Sequence, residues 1–197
     1  MTRIGLFGGS FNPPHAAHQL VALYVLETCP IDELWFVPTY KHVFGKDLAS
    51  YADRVAMCEL AAAALGPRAK VSRAEEELAM RPDFVASRTL DLIAYLERPG
   101  RELRLVIGAD ILGETAQWYR WDEVARRAPP IVVPRRGYPS GGGPEMESAS
   151  GRWRLGIDMP AISSTHVREL VRANDPSLAG LLPRDVLRYI AERRLYA

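Results

Sequence analysis

The first forty residues constrain the fold of this chain more than any other stretch. Ile4-Gly5-Leu6-Phe7 is a short apolar run that reads as a buried strand, and Gln19 to Leu26 is long enough for a helix. Glu33-Leu34-Trp35-Phe36-Val37 reads as a second strand, stopped by Pro38. Strand, helix, strand within roughly thirty-five residues is a βαβ unit, which requires parallel pairing and a right-handed crossover. Between the first strand and its helix lies Gly8-Gly9-Ser10-Phe11-Asn12-Pro13-Pro14-His15-Ala16-Ala17-His18. This is a layout for holding phosphate. The glycines let backbone approach a ligand, and the helix start offers unpaired N–H groups at the positive end of its dipole. His15 and His18 stand three apart, which points both to one side of the first turn.

The rest of the chain repeats the alternation. Thr39 to Tyr51 has no clear period and reads as a loop at the carboxyl edge of the sheet. Asp53 to Leu65 is helical, with Met57, Leu60, Ala61 and Ala64 on one face and Gly66-Pro67 as the stop. Lys70 to Ser72 makes a short third strand, and Glu75-Glu76-Glu77 reads as solvated surface. Asp83 is a cap for a helix from Phe84 to Leu96, with Val85, Thr89, Leu92 and Leu96 along one side. Leu103 to Ile107 is a strand delivering Gly108-Ala109-Asp110 to the same edge. Trp118 to Ala128 reads as helix, Pro130 to Pro134 as strand, and the glycine- and proline-rich Gly137 to Gly151 as a surface loop. Arg154 to Asp158 is the last strand candidate. Pro160 to Thr165 opens a helix through Val171, and Pro183 with Asp185 begins the closing helix, Val186, Leu187 and Ile190 facing inward. The sum is an α/β, doubly wound (Rossmann-like) parallel sheet, a single domain over 1–197 with a small C-terminal helical part. Ligands belong at the carboxyl edge, near the topological switch point.

Composition excludes rather than selects. A formal net charge of +1 gives no field favouring nucleic acid or a membrane surface, and no apolar run approaches the ~20 residues that span a bilayer. The basic pairs Arg126-Arg127, Arg135-Arg136 and Arg193-Arg194 read as solvated surface, and Arg135-Arg136 differs from the others in following a strand. Two cysteines, Cys29 and Cys58, lack metal spacing and read as small hydrophobes in a reducing compartment. The expected location is cytoplasmic. A homo-oligomer is left open.

Three stretches meet at the carboxyl edge: Gly8 to His18, Gly108 to Asp110, and Ile162 to Arg168. The first is not the dinucleotide fingerprint, since Gly-x-Gly-x-x-Gly is absent. Paired imidazoles suit an anionic transition state, donating to phosphate oxygens without a covalent intermediate. Structural histidines and a metal site compete with that reading, and no third metal ligand stands with them. Ser163, Ser164 and Thr165 at a helix start, with Arg168 one turn in, make a second phosphate site; ordinary N-capping plus a surface arginine is the plain alternative. Asp110 suits a ribose hydroxyl pair or a helix cap.

Together these stretches resemble the nucleotidyltransferase superfamily that shares a His-x-x-His motif, and within it the nicotinate mononucleotide adenylyltransferase family. Gly8 to Pro13 with His15 and His18 matches the N-terminal signature, and Ile162-Ser163-Ser164-Thr165-His166-Val167-Arg168 the C-terminal one. Val106 to Asp110 with Trp118 matches the middle block, Arg135-Arg136-Gly137-Tyr138 resembles Arg-Pro-Gly-Tyr, and the ending from Leu182-Pro183 to Leu195-Tyr196 follows the pattern. The resemblance implies attack of a pyridine mononucleotide phosphate on the α-phosphorus of ATP, with pyrophosphate leaving and Mg²⁺ held mainly by ATP phosphates rather than by a protein metal site. It implies His15, His18, Arg168 and a lysine as catalytic groups. Gly8, Gly9, Ser10, Phe11, Gly108, Asp110, Ile162, Ser163 and Ser164 join His18 and Arg168 around ATP. Asn12, Lys41, Arg88, Thr89, Trp118 and Arg135 face the acceptor, Trp118 stacking on the pyridine ring.

The departures fall on the acceptor side. Asn12 stands where Asp is common and Ala17 where Gly is common. The usual Pro-Pro-His-Lys is replaced by Tyr40-Lys41-His42-Val43-Phe44-Gly45-Lys46. Lys46, by its spacing to Arg54 and Met57, is the preferred phosphate lysine, with Lys41 second. Arg88 replaces a tyrosine beside the expected pyridine pocket. Nicotinamide mononucleotide, another phosphorylated acceptor, or a nucleotide-binding protein without catalysis are the competing expectations.

Overall fold

A computed structural model describes residues 1–41, 48–82, 84–135, 147–148, 151–152 and 159–197. Five parallel strands form its main sheet: β1 (Thr2–Gly9), β2 (Glu33–Pro38), β3 (Ala69–Val71), β4 (Arg101–Gly108) and β5 (Pro130–Val133), in the order β3-β2-β1-β4-β5. The order reverses between β1 and β4, whose carboxyl ends are Gly9 and Gly108. That is the expected doubly wound sheet with its switch point beside the glycine turn. A two-residue antiparallel pair, β6 (Glu147–Ser148) with β7 (Gly151–Arg152), crosses the end of the stretch read as a loop, and Arg135 bridges in parallel to Met159. The expected strand from Arg154 to Asp158 lies outside the described residues.

Period-two alternation explains why the strands read as continuous apolar runs: both faces are covered. Ile4 and Leu6 of β1 and Leu103, Leu105 and Ile107 of β4 pack toward α4 (Thr89–Leu96) and α6 (Trp121–Arg127). Phe7, Leu34, Phe36, Val106 and Ile131 pack toward α1 (Ala16–Thr28) and α2 (Tyr51–Ala63). Helix α2 is buried on two sides. Cys58 and Ala62 face the sheet, while Met57 and Ala61 receive Val167 of α7 (Ser164–Arg172), Leu178 of α8 (Leu178–Leu181) and Val186 and Ile190 of α9 (Arg184–Arg193). This third cluster is the C-terminal helical part, and it brings α7 against the N-terminal turn.

Several local expectations are corrected. Ala64 caps α2 and is exposed, so the inward stripe runs through Val55, Met57, Cys58 and Ala61. The acidic run is not all surface. Glu75, in α3 (Ala74–Ala79), is 6% exposed, accepts the Tyr40 N–H at 3.5 Å, and burial raises its carboxyl above the ordinary range. Helix α4 starts at Thr89, not Phe84, because Arg88 is extended and Ser87 Oγ instead accepts the Lys41 N–H at 3.4 Å; the expected cap Asp83 lies outside the described residues. Val85 is consequently exposed. After β4 come α5 (Ala109–Leu112) and a 3-10 turn at Thr115–Gln117, and α6 begins only at Trp121 because Arg120 takes φ +53°. Trp118 therefore precedes the helix rather than opening it.

Candidate active site

Residues Gly8 to His18 form a turn clamped from three directions. A Cβ on Gly9 would lie 3.1 Å from the Phe11 ring, tighter than an ordinary contact, so a side chain there would push that ring from under the strand end. A Cβ on Gly8 would meet nothing within 4 Å, which leaves that backbone open on the outer side. Phe11 is 1% exposed at φ +46°, a left-handed conformation that a side chain rarely adopts, and the Asn12–Pro13 bond is cis. Arg54 Nη1 donates to the Ser10 carbonyl at 2.9 Å, and its Nε donates to the Ala49 carbonyl at 3.1 Å. Arg168 Nη1 donates to the Asn12 carbonyl at 2.9 Å, and Ser164 Oγ donates to the Pro13 carbonyl at 2.9 Å. The two phosphate-type stretches, 150 residues apart, are thus joined by direct hydrogen bonds.

The histidines take different places from those their spacing suggests. His15 is the extended N-cap of α1, before the helix, and His18 lies in the first turn. The backbone N–H of His15 donates to His18 Nδ1 at 3.1 Å, and the rings stack at 3.7 Å with 25° between planes. With Nδ1 accepting, the proton of a neutral His18 is on Nε2, which becomes a donor. Phe11 packs on His18 edge-on at 5.0 Å. His15 is 4% exposed, and its Nδ1 is buried without a partner among the described residues. Burial, and secondarily the Arg135 charge, lowers the His15 pKa to about 4; burial and then His15 and Arg135 hold His18 well below the usual range. Both rings are neutral at pH 7. They are polar donors in a positively charged neighbourhood, suited to an anion rather than to proton uptake.

Ser163 caps α7, its Oγ accepting the His166 N–H at 3.2 Å, while Arg168 also reaches Thr165 Oγ1 at 3.3 Å. Ile162 is half-buried against the C-terminal helical cluster. Asp110 folds back over Gly108, where any Cβ would collide with its carboxylate, and it pairs with Arg135. The carboxylate assigned to a ribose and the cation assigned to the acceptor thus hold each other, and Arg135 lies close enough to the histidines to depress both. Asn12 departs most from its expected role. It is 2% exposed, and its Oδ1 accepts from the Ala49 N–H at 3.0 Å and the Tyr196 hydroxyl at 2.9 Å, so its side chain braces the turn instead of facing an acceptor.

The remaining acceptor residues gather separately. Arg88 stacks on the Tyr119 ring at 4.6 Å, next to Trp118, which is half-buried and edge-on to Trp121 at 5.7 Å. Thr89 opens α4 and Lys41 is exposed. Lys46 lies outside the described residues. Among the described residues no group of three or more His, Cys, Asp or Glu could hold a metal ion, and no helix is long and apolar enough to cross a membrane.

Arg54 and Tyr196 were missed as members of this region. Arg54 had a signal: it falls on the inward stripe with Met57, Cys58 and Ala61, where a charge needs an internal role. Nothing in the residue pattern around Tyr196 marks its contact.

The fold is a doubly wound, Rossmann-like α/β sheet with a hydrogen-bonded glycine–histidine turn at its switch point, and the cytidylyltransferase-like family model matches residues 6–170. The chain belongs to that family and, within it, to the group whose members are named nicotinate-nucleotide adenylyltransferase. A probable enzyme of that name from Anaeromyxobacter sp. (strain K) is 47% identical over 195 residues, covering 98% of this chain and 96% of the relative. One from Myxococcus xanthus is 33% identical, covering 98% and 94%. The solved Plasmodium falciparum nicotinic acid mononucleotide adenylyltransferase complexed with NaAD has a TM-score of 0.73 at 18% identity, covering 100% of this chain and 98% of its own, a likeness of fold.

Proposed function

We propose that this chain transfers the adenylyl group of ATP to the 5′-phosphate of nicotinate mononucleotide, giving nicotinate adenine dinucleotide and pyrophosphate. The observation that carries the reading is the direct bonding of the histidine turn to the Ser164–Arg168 turn at the switch point, in a chain similar end to end to relatives of that name. An oxygen of the mononucleotide phosphate attacks the α-phosphorus, the bond to the bridging oxygen breaks, and pyrophosphate leaves with the electron pair. His18 donates through Nε2 to a non-bridging oxygen as charge shifts, and His15 backs it. Gly8 and Gly9 let ATP approach; Ser163, Ser164 and Arg168 face its outer phosphates. Asp110 takes the adenosine ribose once it parts from Arg135, which then turns to phosphate. Mg²⁺ enters on the ATP phosphates as part of the substrate, in keeping with the habit of that ion of using few protein ligands. Trp118 offers an aromatic face to the pyridine ring, and Arg88 and Thr89 recognise its acid group; the Arg88 charge favours carboxylate over amide. The setting is the cytoplasm, which suits two free thiols, Cys29 and Cys58.

The test is pyrophosphate release from ATP with nicotinate and nicotinamide mononucleotides offered separately. Turnover with nicotinate mononucleotide, faster than with the amide, is expected. No release with either at millimolar concentration sinks the reading, and a preference for the amide reverses the role given to Arg88.

A further inference from the structure

We infer that Tyr196 is a positioning residue for the nucleotide turn, acting through Asn12 on the aim of Arg168. Its hydroxyl donates to Asn12 Oδ1 at 2.9 Å, and the carbonyl of the same Asn12 receives Arg168 Nη1 at 2.9 Å. One asparagine therefore carries the tie from the segment after α9 on its side chain and the tie to α7 on its backbone. Tyr196 lies far from the switch point in sequence, spends its hydroxyl on Asn12 rather than on a group assigned to ATP, and is placed by effort. Arg194 and Tyr196 itself take φ +49° and +67°, left-handed conformations that are costly for a side-chain-bearing residue. Leu195 between them donates its N–H to the Ile190 carbonyl at 3.0 Å and packs in the C-terminal cluster. Burial raises the Tyr196 phenol above its ordinary pKa, so it stays a neutral donor across the working range, with the Arg168 and Arg54 charges nearby.

The turn needs such ties. Phe11 is held at φ +46° beside Asn12, and a conformation of that kind persists only where its surroundings over-determine it. The ties come from Arg54 to Ser10, from Ala49 and Tyr196 to the Asn12 side chain, and from Arg168 and Ser164 to the Asn12 and Pro13 carbonyls. Among the described residues Asn12 Nδ2 is buried without a partner, so the Oδ1 bonds fix that amide. With the Tyr196 bond gone, the Ala49 N–H is the single remaining donor to Oδ1 among the described residues, and the amide is free to rotate toward a partner for Nδ2. The Asn12 carbonyl moves with it and takes Arg168 off line.

The inference rests on the ATP site proposed above, and a paired comparison separates the two. Tyr189 belongs to the same helical part, and its hydroxyl bonds to Asp53 Oδ1 at 2.9 Å without touching the turn. Tyr196→Phe and Tyr189→Phe each remove one phenolic hydrogen bond and keep the ring. Binding of α,β-methylene ATP by calorimetry is expected to weaken about three- to tenfold in Tyr196→Phe, the reach of one lost hydrogen bond, and to stay within about twofold of wild type in Tyr189→Phe. In turnover, Tyr196→Phe raises KM for ATP by a similar factor and leaves KM for the mononucleotide unchanged. Tyr196→Phe binding the analogue as wild type does overturns the inference. So do two variants that lose affinity in proportion to their loss of Tm, because the hydroxyl is then merely structural. Wild type that fails to bind the analogue overturns the ATP site itself, and the inference with it.

Discussion

The two halves of the candidate site are built in opposite ways. The histidine turn is fastened before any ligand arrives: Phe11, Asn12 and His15 are at most 4% exposed, and α2, α7 and the segment after α9 each donate to it. The half proposed to take the acceptor consists of side chains leaning on one another. Arg88 lies over Tyr119, Trp118 meets Trp121 edge-on, and Arg88 and Tyr119 are exposed. A fixed half suits stabilisation of charge that appears only in the transition state, because prearranged donors cost no reorganisation at that moment. A half whose parts stack on each other yields them readily to a ring. The comparison separates chemistry from recognition, and it can be broken variant by variant.

The largest effect belongs to the fixed half. His18→Ala removes the Nε2 donor and is expected to lower kcat by about 10² or more, with KM values little changed, as for loss of one preorganised donor. His18 packs on Phe11 and His15 and accepts the His15 N–H, so the variant is expected to lose some Tm while remaining folded at the assay temperature, and the fall in kcat is read on that folded enzyme. Near wild-type turnover removes His18 from the chemistry and leaves the clamped turn without a purpose.

Next is Arg54→Met. The guanidinium is 2% exposed and has no carboxylate partner among the described residues; burial pushes its pKa below the ordinary value. Methionine relieves that buried charge but strands the Ser10 and Ala49 carbonyls, and each stranded acceptor costs about 1–3 kcal/mol. The second effect is the larger one. We expect a net loss of about 2 kcal/mol by urea denaturation, and KM for ATP raised more than KM for the acceptor. An equally stable variant with unchanged KM for ATP shows that the turn holds itself.

A third test uses pH. His15 titrates at about 4 in the folded chain against an ordinary 6.5. Below pH 6.5 the unfolded chain takes up a proton that the folded chain refuses. Stability is therefore full above pH 6.5 and is lost as pH falls toward 4, by about 2 kcal/mol at pH 5 from this group. Denaturation of wild type and His15→Gln at pH 7 and pH 5 isolates that share: the wild-type loss should exceed that of the variant by this amount. Equal losses mean that His15 titrates normally and the pair is open to water.

The contrast also explains what the sequence could reveal. The doubly wound class followed from the alternation of apolar strand runs and helices, because burial on both faces writes itself into Leu103 to Ile107 and Leu34 to Val37; the strand order β3-β2-β1-β4-β5 did not. The glycine turn and the Ser163 helix start were legible as local structures because glycine and hydroxyl residues at helix starts have a local reason. What failed was decided by partners distant in sequence. Glu75 is buried by the Tyr40 backbone, α4 starts late because Ser87 bonds Lys41, and Asn12 is claimed by Ala49 and Tyr196. Arg54 lay between these cases: its place on the apolar stripe of α2 was visible, its partner at Ser10 was not.

The smallest expected effect tests the loose half directly. Trp118→Ala should raise KM for the pyridine mononucleotide about tenfold, near 1.4 kcal/mol, a size in keeping with one aromatic stacking contact. KM for ATP should move by less than about twofold, because no bond joins Trp118 to the histidine turn among those described. The indole also packs at the margin of the core cluster beside Trp121, so some loss of Tm is expected whichever way the ring faces. The ratio of the two KM changes is the measurement that matters. A rise confined to the mononucleotide assigns the indole face to the acceptor and keeps the halves independent. Equal rises, tracking the fall in Tm, place Trp118 in the core and leave Arg88 and Thr89 to recognise the pyridine ring alone.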